Sequence, residues 1–148
     1  MPIVTHAISG GGPIVPIFLA VSTPRATALK LANQPVPNIV NAYFLVDTGA
    51  SCTVVDTTII SALGLSPIGT TLAHTPSTGG VPKVFNQFDV LVAMALQAAP
   101  HIHVLRVTIP VVEADFTGQG YQGLIGRDIL SQCLMTYNGP HGYVAIAV

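Results

Sequence analysis

The residues of this chain best placed to do chemistry lie together in Phe44-Leu45-Val46-Asp47-Thr48-Gly49-Ala50-Ser51. An apolar run delivers a single carboxylate into what reads as a tight turn. Thr48 carries a hydroxyl that can bond locally, and Gly49, lacking a side chain, lets backbone or ligand come close. A carboxylate so placed suits general acid–base work on water, in which one group takes a proton and another gives one. Asp56, Asp89, Glu113 and Asp115 are conceivable partners within the chain, but none is followed by Thr-Gly. Asp-Thr-Gly alone also fits an ordinary turn aspartate, so the weight of the motif depends on what accompanies it.

A second chemically marked stretch is Gly123-Leu124-Ile125-Gly126-Arg127-Asp128-Ile129-Leu130. Taken alone it is an apolar segment running into a helix, with Asp128 favourable in the first turn. Other candidates are weaker. His101 and His103 alternate, so a strand would put both on one face, but two ligands are too few for a metal site. Cys52 and Cys133 have neither disulfide-framework nor metal-site spacing, and the sequence sets no histidine beside either to make a thiolate nucleophile. We therefore expect free thiols, no metal and no cofactor.

The elements that must position these residues read as all-β. Turn residues recur often, and β-branched residues crowd between them. Strands are expected over 14–21, 39–46, 53–56, 70–74, 83–92 and 104–112, with a short apolar segment at 123–126. Leu134–Tyr137 and Tyr143–Val148 should form a last hairpin around Asn138-Gly139-Pro140. Thr57–Leu63 reads as a short helix ended by Gly64, and Asp128–Cys133 as another of one to two turns. Thr23–Asn38 is polar and contains prolines, which suggests a surface loop with at most a helical turn over Ala26–Ala32. Thr75–Pro82 separates two strands and suits a protruding hairpin with Ser77-Thr78-Gly79-Gly80 at its tip. There is no internal repeat and no long linker, so residues 1–148 read as one domain, with 1–13 a flexible N-terminal segment.

Together the two marked stretches resemble the retropepsin-like (single-domain, retroviral-type) aspartic proteases. Asp47-Thr48-Gly49 after an apolar strand matches the active-site motif, and Gly123 to Leu130 is similar to the second signature: an apolar pair, Gly, Arg, Asp or Asn, then a short helix. The resemblance spans roughly residues 14–148. It implies a closed, barrel-like acid protease fold with a flap hairpin and one short C-terminal helix. It also implies a homodimer in which Asp47 of each copy contributes one carboxylate. Aspartic proteases are themselves the standing example of two carboxylates that share a proton because like charges so close cannot both ionise. By the same resemblance, Thr48 would hydrogen-bond across the dimer, Gly49 and Ala50 would support the site, and Ser77 to Gly80 would form the flap. Val54 and Leu124 would line specificity pockets, and Gly126, Arg127 and Asp128 would be structural.

The chain departs from the viral pattern at Ser51, where viral enzymes usually carry an Asp that pairs with the signature Arg. Arg127 is left to find Asp128, Asp56 or a backbone carbonyl. The 23–38 segment is also longer than a minimal viral enzyme needs, which looks more like cellular or bacterial members. The implied activity is endopeptidase cleavage of extended substrates with apolar side chains around the cut bond. Alternatives are a weak or inactive peptide-binding or dimerisation module of the same fold, and a domain that cuts itself from a precursor.

Composition agrees with this class and narrows the partners. Charged residues make up only 7 % of the chain, half of its residues are hydrophobic, and the net charge is −1. No basic surplus exists to hold a nucleic acid. The longest apolar runs, such as Val90–Ala99, are too short for the roughly 20 residues of a membrane span. A soluble domain with an apolar surface covered by a partner is the better reading. The N-terminus lacks the basic region of a signal peptide, and with the free thiols this favours the cytoplasm.

Overall fold

The computed structural model describes residues 1–74, 79–98 and 101–148. The strands are β1 (Ile3–Ala7), β2 (Ile14–Val21), β3 (Val40–Val46), β4 (Val54–Asp56), β5 (Gly69–Ala73), β6 (Lys83–Ala98), β7 (His101–Ala114), β8 (Gly123–Ile125), β9 (Leu134–Asn138) and β10 (Tyr143–Ala147). The helices are α1 (Thr23–Leu31), α2 (Thr57–Ala62) and α3 (Arg127–Leu130). The tip residues Ser77 and Thr78 lie outside the described residues.

Alternation of apolar side chains builds the main sheet. On β2, Val15, Ile17, Leu19 and Val21 are all buried, while Pro16 and Phe18 face out. On β6, Val90, Val92, Met94 and Leu96 turn inward in the same way. These faces close on one another. The strand order is β2-β3-β8-β4-β7-β6, and β2 pairs back onto β6 from Phe18↔Ala93 to Val21↔Val90. The result is a closed six-stranded barrel, with β5 hydrogen-bonded to the free side of β6. Phe44 on β3 is the largest fully buried side chain and sits in this core with Ile125, Ile129 and Leu63. Each such side chain contributes about 1.5–3 kcal/mol by leaving water. The all-β, barrel-like expectation is met.

Three segments differ from the reading of the sequence. Residues 23–31, expected as loop, form helix α1. Ser22 caps it by accepting from the Arg25 N–H at 3.4 Å, and Pro24 sits in its first turn, a favoured place for proline. No α1 residue is buried, so the segment has no apolar stripe to announce it. The β6–β7 hairpin is longer than the expected 83–92 and 104–112, because pairing continues to Ala98↔His101. Leu91, Ala93 and Ala95 make the outer face apolar too, which hides the alternation. Lastly, Ile3–Ala7, in the stretch expected to be flexible, forms β1 in a second sheet of order β1-β10-β9. Val4 packs against the core from β1, as do Val144 and Ile146 from β10.

Apolar side chains remain on the outside. Ile39, Ile102 and Val104 are exposed beside Phe18, and Ile3, Leu134 and Tyr137 are exposed on the terminal strands. Among the described residues, no helix is long and apolar enough to cross a membrane.

His6 shares the half-buried side of β1 with Val4. Its Nε2 is buried and has no hydrogen-bond partner, and burial pushes the imidazole pKa below its ordinary value. The unfolded chain then binds this proton more readily than the folded one. Stability is complete above about pH 6.5, the unfolded value, and falls as pH drops toward the lowered folded value. Chemical denaturation should therefore show wild type losing more stability between about pH 7 and pH 5 than a His6→Leu variant. Equal losses would contradict this.

Candidate active site

Asp47 follows directly on β3, whose last residues lie parallel to β8 with Leu45↔Leu124 and Val46↔Ile125 in register. The Asp47 N–H continues that pairing by donating to the Ile125 carbonyl at 3.0 Å. The chain then folds back, and the Ala50 N–H donates to the Asp47 carbonyl at 3.2 Å. The Gly49 N–H donates to Asp47 Oδ1 at 2.8 Å, which fixes the carboxylate on its own turn. A Cβ on Gly49 would lie 3.0 Å from that oxygen, tight enough to disturb it. Thr48 and Gly49 are exposed at the turn, and Asp47 and Ala50 are half-buried.

The second marked stretch packs directly against this turn. Gly123 has no room for a side chain: a Cβ there would lie 2.5 Å from both the Phe44 ring and the Val54 carbonyl. At Gly126 a Cβ would strike the backbone of Cys52. Arg127 donates its backbone N–H to the Ala50 carbonyl at 3.0 Å. Its Nη1 donates to the carbonyls of Thr48 at 2.8 Å and Gly49 at 3.1 Å. Of the partners left open for Arg127, the backbone carbonyls are the ones used. Asp128 instead accepts from Thr53, with the backbone N–H on Oδ2 and the hydroxyl on Oδ1, both at 2.8 Å. The same hydroxyl accepts from the buried Gly126 N–H at 3.2 Å.

Reading the sequence missed Thr53. It is fully buried, and the available signal was a polar residue leading the apolar pair Val54-Val55. Asp56 is also buried. It caps α2 by accepting from the Thr58 N–H at 2.8 Å, and its other oxygen accepts from the Phe116 N–H at 2.9 Å. Burial pushes its carboxyl pKa up, but the bonds from Thr58 and Phe116 outweigh that and hold it below the ordinary value.

Asp47 opens on a cavity of about 550 Å³. Val54 and Leu124 line it, as do Phe85, Val112, Ala114 and Phe116; Ala73 and His74 reach it from the end of β5. The sequence reading did not single out Phe85, Phe116 or His74, because three separate elements bring them here. Gly79 and Gly80 form a turn before β6 in the left-handed region, with φ of 60° and 83°. Cys52 also lines the cavity. Burial raises its thiol pKa, the Asp128 charge adds to this, and a Ser51 hydrogen bond opposes it. The result is a protonated thiol at neutral pH and a poor nucleophile. Cys52 and Cys133 are free.

The Thr53 hydroxyl is the joint between the two stretches. Thr53→Val should leave the Gly126 N–H without a partner and strip one bond from Asp128, lowering the unfolding free energy by about 2–4 kcal/mol. Thr53→Ser keeps the hydroxyl and should cost about 1 kcal/mol. Denaturant unfolding of the two variants checks this, and equal losses would mean that the hydroxyl does not carry the joint.

Comparison with known proteins agrees with this geometry. A family model described as aspartyl protease matches residues 30–129, which include the Asp47 stretch and the second stretch as far as Ile129. The fold is similar to the crystal structure of a retropepsin-like aspartic protease from Rickettsia conorii, with a TM-score of 0.53. The two share 13 % sequence identity, and the match covers 97 % of this chain and 89 % of the other. No curated protein matches the chain in sequence. With its family match running from before Asp47 as far as Ile129 and its barrel closed in the retropepsin-like manner, the chain belongs to the aspartyl protease family.

Proposed function

We propose that this protein is an aspartic endopeptidase that acts as a homodimer, with Asp47 of each copy supplying one carboxylate. The observation that carries the reading is the Asp47 carboxylate, held by the Gly49 N–H at the edge of a largely apolar cavity in a chain with a single Asp-Thr-Gly. One carboxylate, ionised, takes a proton from water as the oxygen attacks the peptide carbonyl carbon. The other, neutral, gives its proton to the carbonyl oxygen. When the tetrahedral intermediate collapses, the C–N bond breaks and a proton passes to the leaving nitrogen.

The dimer is supported by the exposure of Thr48 and Gly49, which suits a hydrogen bond from Thr48 to its symmetry mate, and by the apolar side chains left on the surface. Gly49 and Ala50 present backbone to the peptide. Val54 and Leu124 take part in the side-chain pocket, so an extended substrate with apolar residues about the cut bond fits best. Gly79 and Gly80, in the turn before β6, belong to the flap that the family resemblance implies over residues 77–80. Gly126, Arg127 and Asp128 support the turn without touching the reacting atoms.

The test compares wild type with Asp47→Asn on a mixed peptide library from acid to neutral pH, with products read by mass spectrometry. Cleavage beside apolar residues should fall by about 10²–10⁴-fold in the variant. The wild-type rate should decline at high pH, once both carboxylates have lost their protons. Equal cutting by both proteins would refute the assignment of Asp47. Peptide binding without cleavage at any pH would favour a binding module of the same fold.

A further inference from the structure

The cavity beside Asp47 holds one group that the hydrolytic reading leaves unused. Among the described residues lining it, Asp47 is the sole carboxylate and His74 the sole imidazole; the other polar side chains there are the Ser51 hydroxyl and the Cys52 thiol, and the remaining described ones are apolar or glycine. His74 is exposed and lies just past the end of β5, on a different element from the turn that bears Asp47. A peptide residue seated on the apolar wall would thus have Asp47 on one side and an imidazole within the same space. The pair of carboxylates carries a negative charge in its working state, so an acidic residue of a peptide would be repelled here without a nearby cation.

The groups around His74 single it out as the donor that such a carboxylate would meet. Lys83 is the register partner of Ala73 on β6, so it stands at the same base of the hairpin. Its Nζ lies 5.7 Å from the centre of the Phe85 ring. It lines a neighbouring groove with Glu113 and Asp115 and is not among the described residues lining the cavity. His74, by contrast, lines the cavity itself.

Resting on the endopeptidase reading, we propose that His74 determines specificity: its imidazole recognises a carboxylate on the peptide, so the cleft prefers an Asp or Glu near the apolar residue that fills the cavity.

The test uses fluorescent peptides with a central Phe and either Glu or Gln at each flanking position. They are bound to the full-length Asp47→Asn protein, which holds peptide without cutting it. At least one Glu peptide should bind about three- to fivefold tighter than its Gln twin. The gap should vanish in Asp47→Asn/His74→Gln and persist in Asp47→Asn/Lys83→Gln. No Glu–Gln difference, whether all the peptides bind or none does, overturns the proposal. So does a difference that survives loss of His74. Wild-type cleavage of the same peptides separates the two readings. Cutting without a His74-dependent gap sinks the role of His74 and keeps the endopeptidase; a gap without cutting does the reverse.

Discussion

Everything at the candidate site depends on two backbones coming closer than any side chain would allow. Gly126 lies against the backbone of Cys52 with no space for a Cβ, and that contact brings the Gly126 N–H to the Thr53 hydroxyl. From there the joint spreads in both directions. Asp128 closes on Thr53 with two bonds, and Arg127 reaches across to the carbonyls of Thr48 and Gly49. The turn bearing Asp47 is thus held from below by β8 and from the side by α3. One guanidinium nitrogen, Nη1 of Arg127, holds both carbonyls, so the turn is anchored with Ser51 in place and no carboxylate there.

The chain spends its few polar groups sparingly. Among the described residues the buried polar or charged side chains are Ser22, Thr53 and Asp56, and each stands where one element passes into the next. Ser22 begins α1 after β2. Thr53 precedes β4 and fastens it to α3. Asp56 ends β4, starts α2 and holds the backbone of Phe116 at the cavity. Buried polar groups are costly unless paired, and at these joints the Ser22 hydroxyl has one bond, the Thr53 hydroxyl two and the Asp56 carboxylate three. The barrel wall itself is left to aliphatic packing.

Much of this was legible in the sequence for physical reasons. The apolar, β-branched run Ile14–Val21 after the Gly-rich stretch 10–12, and the apolar run ending at Asp47, mark strands. Gly123 and Gly126, with Arg127 and Asp128 beside them, mark a close approach whose partner is visible only in three dimensions. The hidden parts were hidden by chemistry that leaves no period. Helix α1 buries nothing, so only its cap and Pro24 betray it. The outer faces of β6 and β7 carry Leu91, Ala93, Ala95, Ile102 and Val104, which blurs where those strands end. His74, Phe85 and Phe116 meet because the barrel closes and β5 pairs with β6, a long-range consequence that no local pattern carries.

The central claim is that one working site needs Asp47 from two copies, and subunit exchange tests it most directly. Wild-type protein is mixed with Asp47→Asn protein at constant total concentration, allowed to exchange, and assayed for peptide cleavage as the wild-type fraction falls. If both carboxylates belong to one site, the rate falls as the square of that fraction, because mixed dimers are silent. A rate that falls only in simple proportion would mean that each chain cuts with its own groups, and the shared site would be wrong.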